Sequence, residues 1–177
     1  MDSITLIIAF LLTGAFALPL ILNAQKNKKI QKTALNNYKT FSQSQGLTIG
    51  EQEFWRNAYY LGLDAHKRIL IYSADLAKET PECIDLSGLK ALHKQEVSRM
   101  SGQGKGKEKI IDRISLELEY WNKPMRKTLE IYDGERFSAL VGEPVVLARW
   151  LEILSPLISS AAEVKAGSPK KPMLLNH

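Results

Sequence analysis

The sequence predicts an α+β chain: an N-terminal transmembrane helix and a helical stalk, then an antiparallel β-meander closed by one amphipathic helix. Three observations carry this expectation. Ile4–Leu22 holds 19 residues without a charge. Between Tyr59 and Val141, apolar side chains recur at every second position in several short runs, the period of a half-buried strand. From Pro144 onward the period lengthens to that of a helix. The chain divides accordingly into an anchor (1–25), a basic helical stalk (26–46), a globular domain (47–160) and a flexible tail (161–177).

The first run reads ITLIIAFLLTGAFALPLIL. As a helix it would be about 28 Å long, close to the hydrocarbon thickness of a bilayer. A cleaved signal peptide is the competing reading, with Ala15-Phe16-Ala17 as its cleavage site. The preceding MDS has no basic side chain, however, and LPLIL prolongs the apolar run past that site. Lys26, Lys28, Lys29 and Lys32 follow, then Lys39, with no acid before Glu51. Basic flanks are retained in the cytoplasm. The expectation is therefore a single-pass membrane protein with a short N-terminus outside and a cytoplasmic C-terminal domain. These lysines also suit acidic headgroups, at about 1 kcal/mol each near an anionic surface.

No proline or glycine interrupts the chain from Leu20 to Gln45. Ile30, Ala34, Tyr38 and Phe41 fall at i, i+4, i+8 and i+11, one stripe of a helix ending near Gly46. A lone helix of this composition is marginal in water. The stripe needs cover, either from the domain's own flank or from a helix of another subunit. Ile30, Tyr38 and Phe41 are thus candidate partner contacts.

The domain begins near Glu51. Tyr59, Leu61 and Leu63 alternate with Tyr60, Gly62 and Asp64, and DAHKR turns the chain into a second strand, Ile69–Tyr72. Cys83–Leu86 is a third. Leu89 and Leu92 give only weak order. Ile114, Leu116, Leu118 and Tyr120 alternate with Ser115, Glu117 and Glu119 in the cleanest strand of the chain. NKP turns it, and Leu129 and Ile131 continue. Asp133-Gly134 reads as a hairpin, with Phe137, Ala139 and Val141 returning. Pro144 then suits the first turn of a helix. Val146, Trp150, Ile153, Leu154 and Leu157 share one face of it, opposite Arg149 and Glu152.

The segments YYLGLDAHKRILIY, ISLELEYWNKPMRKTLEIYDGE and EPVVLARWLEIL, within about 100 residues from Glu53 to Leu157, together resemble a PH-like domain. The resemblance implies a small, bent antiparallel β-barrel or sheet capped by a C-terminal helix with a tryptophan on its inner face. Members of that family that read inositol phosphates carry several bases around the first hairpin. Here that hairpin offers Lys67 and Arg68 beside Asp64, and no third base in register.

Charge narrows the function. The 177 residues carry a net charge of +5, but Glu51–Leu157 holds 16 Lys and Arg against 17 Asp and Glu. The basic excess lies in the flanks, and a near-neutral domain argues against a nucleic-acid partner. The glycine-rich SGQGKGKEK, Ser101–Lys109, is not a phosphate cradle. A Walker loop ending at Gly106-Lys107 needs glycine at 101 and Ser or Thr at 108, where the chain has Ser101 and Glu108. It reads as a connection between strands, with Lys105, Lys107 and Lys109 as possible anion contacts.

His66, His93, His177 and Cys83 show no metal or nucleophile spacing, and Glu117 and Glu119 belong to a solvated strand face. No catalytic residue, cofactor or metal is expected. The chain is expected to be a non-enzymatic, membrane-anchored interaction module, an accessory or scaffold subunit of a larger membrane protein complex. The other reading is a sensor of anionic lipid headgroups using the stalk and loop lysines.

Overall fold

The computed structural model describes residues 32–76, 80–102, 107–124 and 126–159, preceded by residues 18, 19, 22, 25, 28 and 29. Helix α1 is continuous over 32–44. Seven strands follow: β1 (Glu51–Trp55), β2 (Tyr59–Asp64), β3 (Ile69–Ser73), β4 (Glu82–Asp85), β5 (Leu89–Ser101), β6 (Glu108–Tyr120) and β7 (Lys127–Asp133). Helix α2 (Glu143–Leu154) and a 3-10 turn (Ser155–Leu157) complete the order.

The strands form two antiparallel sheets, β1-β2-β3-β4 and β5-β6-β7. The expected barrel is corrected here: both sheets are open, and among the described residues no ladder joins one to the other. They meet through side chains. Leu61, Leu63, Leu70 and Ile84 of the first sheet pack with Ile114, Leu116, Leu118, Leu129 and Ile131 of the second. Trp55 donates its indole N–H to Ile131 O at 2.8 Å, bridging β1 to β7. Helix α2 closes this core with Leu147, Trp150 and Leu154, all buried. Trp150 reaches β1, where its N–H donates to Glu53 Oε2 at 2.9 Å.

The strand β2 is buried along its whole length. Tyr59, Leu61 and Leu63 enter the central core, while Tyr60 belongs to a second cluster with Ala34, Tyr38 and Ile71. Helix α1 supplies that second cluster. The Tyr38 ring stacks on Tyr60 with centroids 4.2 Å apart and meets Phe54 edge-on at 5.9 Å. Gly62 makes room for this layer, because a Cβ there would lie 2.4 Å from the Tyr60 hydroxyl oxygen. Helix α1 ends in a Schellman arrangement. Gly46 at φ 65° donates to Gln43 O and Leu47 N–H donates to Ser42 O. Leu47 then packs beside Phe41.

Of the stripe, Ala34, Tyr38 and Phe41 are thus covered by the chain's own sheet. Tyr38 is buried and Phe41 is partly buried there; Ile30 lies outside the described residues. The transmembrane helix is corrected as well. No helix among the described residues is long and apolar enough to cross a membrane. Of Ile4–Leu22, only Leu18, Pro19 and Leu22 are described. The helical positions that follow carry Lys28, Lys29, Lys32 and Lys39, all exposed. The single-pass topology, the outside N-terminus and the cytoplasmic placement drawn from that anchor fall with it. Lys26 and the tail 161–177 lie outside the described residues.

Three local expectations change too. β1 precedes the first expected strand, and β5 runs 13 residues where only weak order was expected. The return strand Phe137–Val141 does not form. Asp133 O instead accepts from Arg136 N and Phe137 N, and Gly134 N–H turns onto Asp112 O at 2.7 Å. The segment that follows is held by side chains. Tyr132 donates its hydroxyl to Phe137 O at 2.9 Å, Arg56 donates to Ala139 O, and Glu143 Oε2 accepts from Val141 N at 2.6 Å.

Trp150 is 1% exposed, so Trp150→Ala is expected to cost about 3–5 kcal/mol, the range for a large aromatic lost from a core. Thermal unfolding checks it; a variant that melts with the parent would show that α2 does not close the core. Tyr38→Ala is expected to lower stability by about 3 kcal/mol for the same reason. An unchanged melt there would detach α1 from the sheet.

Candidate interaction surface

Polar groups gather in three places. The first is a seam between the sheets. Tyr59 donates its hydroxyl to Glu130 Oε1 at 2.7 Å, and Tyr72 donates to Glu130 O at 2.9 Å. Arg136 lies 3.3 Å from Glu130 and donates to Ala74 O at 3.1 Å. Burial and then the Glu130 carboxylate push the Tyr59 ionisation far above the usual tyrosine range. The phenol stays protonated and the carboxylate stays paired, so the seam is a structural tie.

The second is the solvent face of the three-stranded sheet. His93 Nε2 lies 2.8 Å from Glu119 Oε2, and Lys90 pairs with the other oxygen of that carboxylate. Arg126 spans Glu117 and Glu119 at 3.0 Å each. The hydrogen bonds from Lys90 and His93 hold Glu119 down at about 2. Both carboxylates are therefore engaged by bases. Cys83 is exposed, and desolvation followed by the Glu82 charge raises its thiol, the reverse of an activated nucleophile. Among the described residues no group of three His, Cys, Asp or Glu side chains could hold a metal.

The third is the β5–β6 hairpin. At 13 residues each, these strands are about 43 Å long. The β6–β7 ladder stops at Arg113↔Asp133, whereas β5 and β6 stay paired out to Ser101↔Glu108. The outer part is a two-stranded ribbon standing clear of β7, beginning at a bulge between Val97 and Ser98. Val97, Met100 and Ile110 are 56%, 62% and 38% exposed. Val97 lies opposite Arg113 and Arg99 opposite Ile110, so one face alternates apolar and basic groups. Met100 lies opposite Lys109 on the other face. Glu96 takes the charges of Lys94 and Lys109, and Asp112 pairs with Arg99. Arg113 and Lys107 make no ion pair among the described residues.

Lys107 and Lys109 thus sit at the end of this arm, Lys109 tied to Glu96; Lys105 lies outside the described residues. The arm's other residues, Val97, Arg99, Met100, Ile110 and Arg113, escaped the sequence reading. A ribbon that meets the core mainly through Ile111 has little obligation to alternate. The available signal was the pair of equally long flanks around a glycine-rich turn.

The ordinary carboxylate value is 4.5, so Glu119 contributes its full stabilisation above about pH 4.5 and loses it as the pH falls toward 2. Glu119→Gln is expected to flatten that part of the stability–pH curve. Urea midpoints measured from pH 7 to pH 2 check it, and parallel curves for the two proteins would refute it.

Compared with families of known proteins, with curated proteins and with solved structures, the chain matches none.

Proposed function

We propose that this chain is a non-enzymatic interaction module, an accessory or scaffold subunit that engages a protein partner through the β5–β6 arm. The observation that carries the proposal is the exposure of Val97, Met100 and Ile110 among Arg99, Lys107, Lys109 and Arg113 on a ribbon unsupported by β7. A two-stranded ribbon is marginal alone in water, and apolar side chains spaced along it gain most when a partner covers them. The alternation of apolar and basic groups favours a partner surface carrying acids beside apolar residues. The PH-like resemblance is retained as a proposal, supported by four strands, then three, then a helix with Trp150 turned inward.

Anionic bilayers and nucleic acid fit this arm less well. From Lys94 to Arg113 there is no aromatic residue to sit at a membrane interface or stack on a base. Glu96, Glu108 and Asp112 are interleaved with the bases and would face headgroups or phosphates of like charge.

Replacing Met100 by a photo-crosslinking residue in the full chain is expected to give a discrete protein adduct in the native cell. The same residue at exposed Glu135 should give none. Val97→Glu with Ile110→Glu should abolish the adduct while leaving the melt within about 0.5 kcal/mol of the parent, as for exposed positions. Absence of an adduct, an adduct unaffected by the double variant, or binding to phosphatidylserine vesicles lost with the same substitutions would each overturn the proposal.

A further inference from the structure

Helix α1 spends one side on the sheet and leaves a second side bordering the edge of β1. Lys28, Lys32, Leu35 and Lys39 recur at i, i+4, i+7 and i+11 and so share that side. Between it and β1 runs a trough made of two adjoining hollows, about 410 and 500 Å³ in volume. Leu35 and Gln52 line both. Phe54 adds apolar surface at one end, and Leu47, Ile49 and Tyr60 add it at the other. Leu35 is 38% exposed although it borders this apolar surface.

Two further features give the trough a direction and a charge. β1 is an edge strand with β2 on one side and, among the described residues, no strand on the other, and Glu51 and Gln52 are exposed. An edge of that kind presents backbone donors and acceptors to any extended chain laid beside it. The acids of β1 are already engaged by α2. Glu51 pairs with Arg149, and Glu53 accepts from Trp150 and lies within 3.7 Å of Arg149. Lys28, Lys32 and Lys39 make no ion pair among the described residues, so the charge left facing the trough is positive. Lys32 and Lys39 are about 10 Å apart along the axis of α1. That is the length of about three residues of extended chain, within the five residues of β1.

We infer that the trough between α1 and β1 binds an acidic, extended segment of a partner protein, which adds a strand to the β1 edge. Its backbone pairs with β1, its carboxylates meet Lys28, Lys32 and Lys39, and alternate apolar side chains enter beside Leu35 and Phe54. This surface involves none of the β5–β6 arm, so it stands or falls separately from the function proposed above.

The test is fluorescence anisotropy of the full chain with a labelled peptide alternating glutamate and valine. Saturable binding is expected, weakened about tenfold by Lys32→Glu with Lys39→Glu. It should also be lost when a central valine of the peptide is replaced by proline, which removes an edge hydrogen bond. Val97→Glu with Ile110→Glu should leave it unchanged. Three outcomes would overturn the inference: no binding, equal binding by the proline peptide, or equal binding by the lysine variants with an unaltered melt. Two others would replace the occupant and equally overturn it: self-association of the free chain that the lysine substitutions abolish, or binding to phosphatidylserine vesicles with the same lysine dependence.

Discussion

Two open sheets that share no ladder must be held face to face by something other than backbone pairing, and here apolar packing does it, pinned by side-chain hydrogen bonds, those of the indoles among them. Trp55 leaves β1 and gives its N–H to Ile131 O of β7 at 2.8 Å; Trp150 leaves α2 and gives its N–H to Glu53 at 2.9 Å. Trp121 donates to Ser159 O at 3.0 Å, tying the chain beyond α2 to the end of β6. Trp55 and Trp150 each bury a large apolar area, and each donor finds its acceptor on another element. That satisfies the requirement that buried polar groups be paired. The Tyr59 and Tyr72 hydroxyls, both on Glu130, add further ties between the two sheets.

The corner where β1 turns into β2 shows what this closure costs. Arg56 and Asn57 both sit at positive φ, 56° and 51°, a conformation that costs of order 1–3 kcal/mol when the surroundings impose it. The Arg56 side chain is engaged on every side. It pairs with the buried Glu143 at the start of α2, donates to Ala139 O and lies over the Phe137 ring at 5.1 Å. Burial opposes ionisation of Glu143, yet Arg56 and the backbone amides outweigh it and hold the carboxyl below its usual value. Helix α2 is thereby anchored at its N-terminus by the β1–β2 turn and at its centre by Trp150. The six residues before it need no strand of their own, and for that reason Phe137–Val141 alternates in sequence without forming one.

Both outward-facing surfaces follow from how this core is closed. β7 stops level with Arg113, so the outer β5–β6 ribbon has no third strand to cover its apolar residues. α1 lies over the first sheet and leaves the edge of β1 uncovered beside its lysines. The polar clusters elsewhere are internally balanced: Glu130 by Tyr59 and Arg136, and Glu117 and Glu119 by Arg126, Lys90 and His93. Balanced clusters stabilise, whereas surfaces left uncovered are available for recognition.

The sequence by itself determined the elements whose periodicity reports a one-sided core. The alternations at Tyr59–Leu63 and Ile114–Tyr120, the helix carrying Trp150, and a stalk stripe ending near Gly46 were legible because each contrasts a buried face with a wet one. Only the tertiary structure decided the rest. Whether Tyr38 met the chain's own sheet or another subunit depended on Tyr60, Phe54 and Ile71, which a helix's own period cannot name. The apolar run Ile4–Leu22 has the composition of an anchor, but composition does not assign a segment to a bilayer, and no helix among the described residues is long and apolar enough to cross one. The long ribbon was hidden because few of its residues answer to the core. β1 was hidden because five residues flanked by glycine and arginine give too short a pattern. In each case the missing information was the identity of the neighbour across space, which is where packing energy resides.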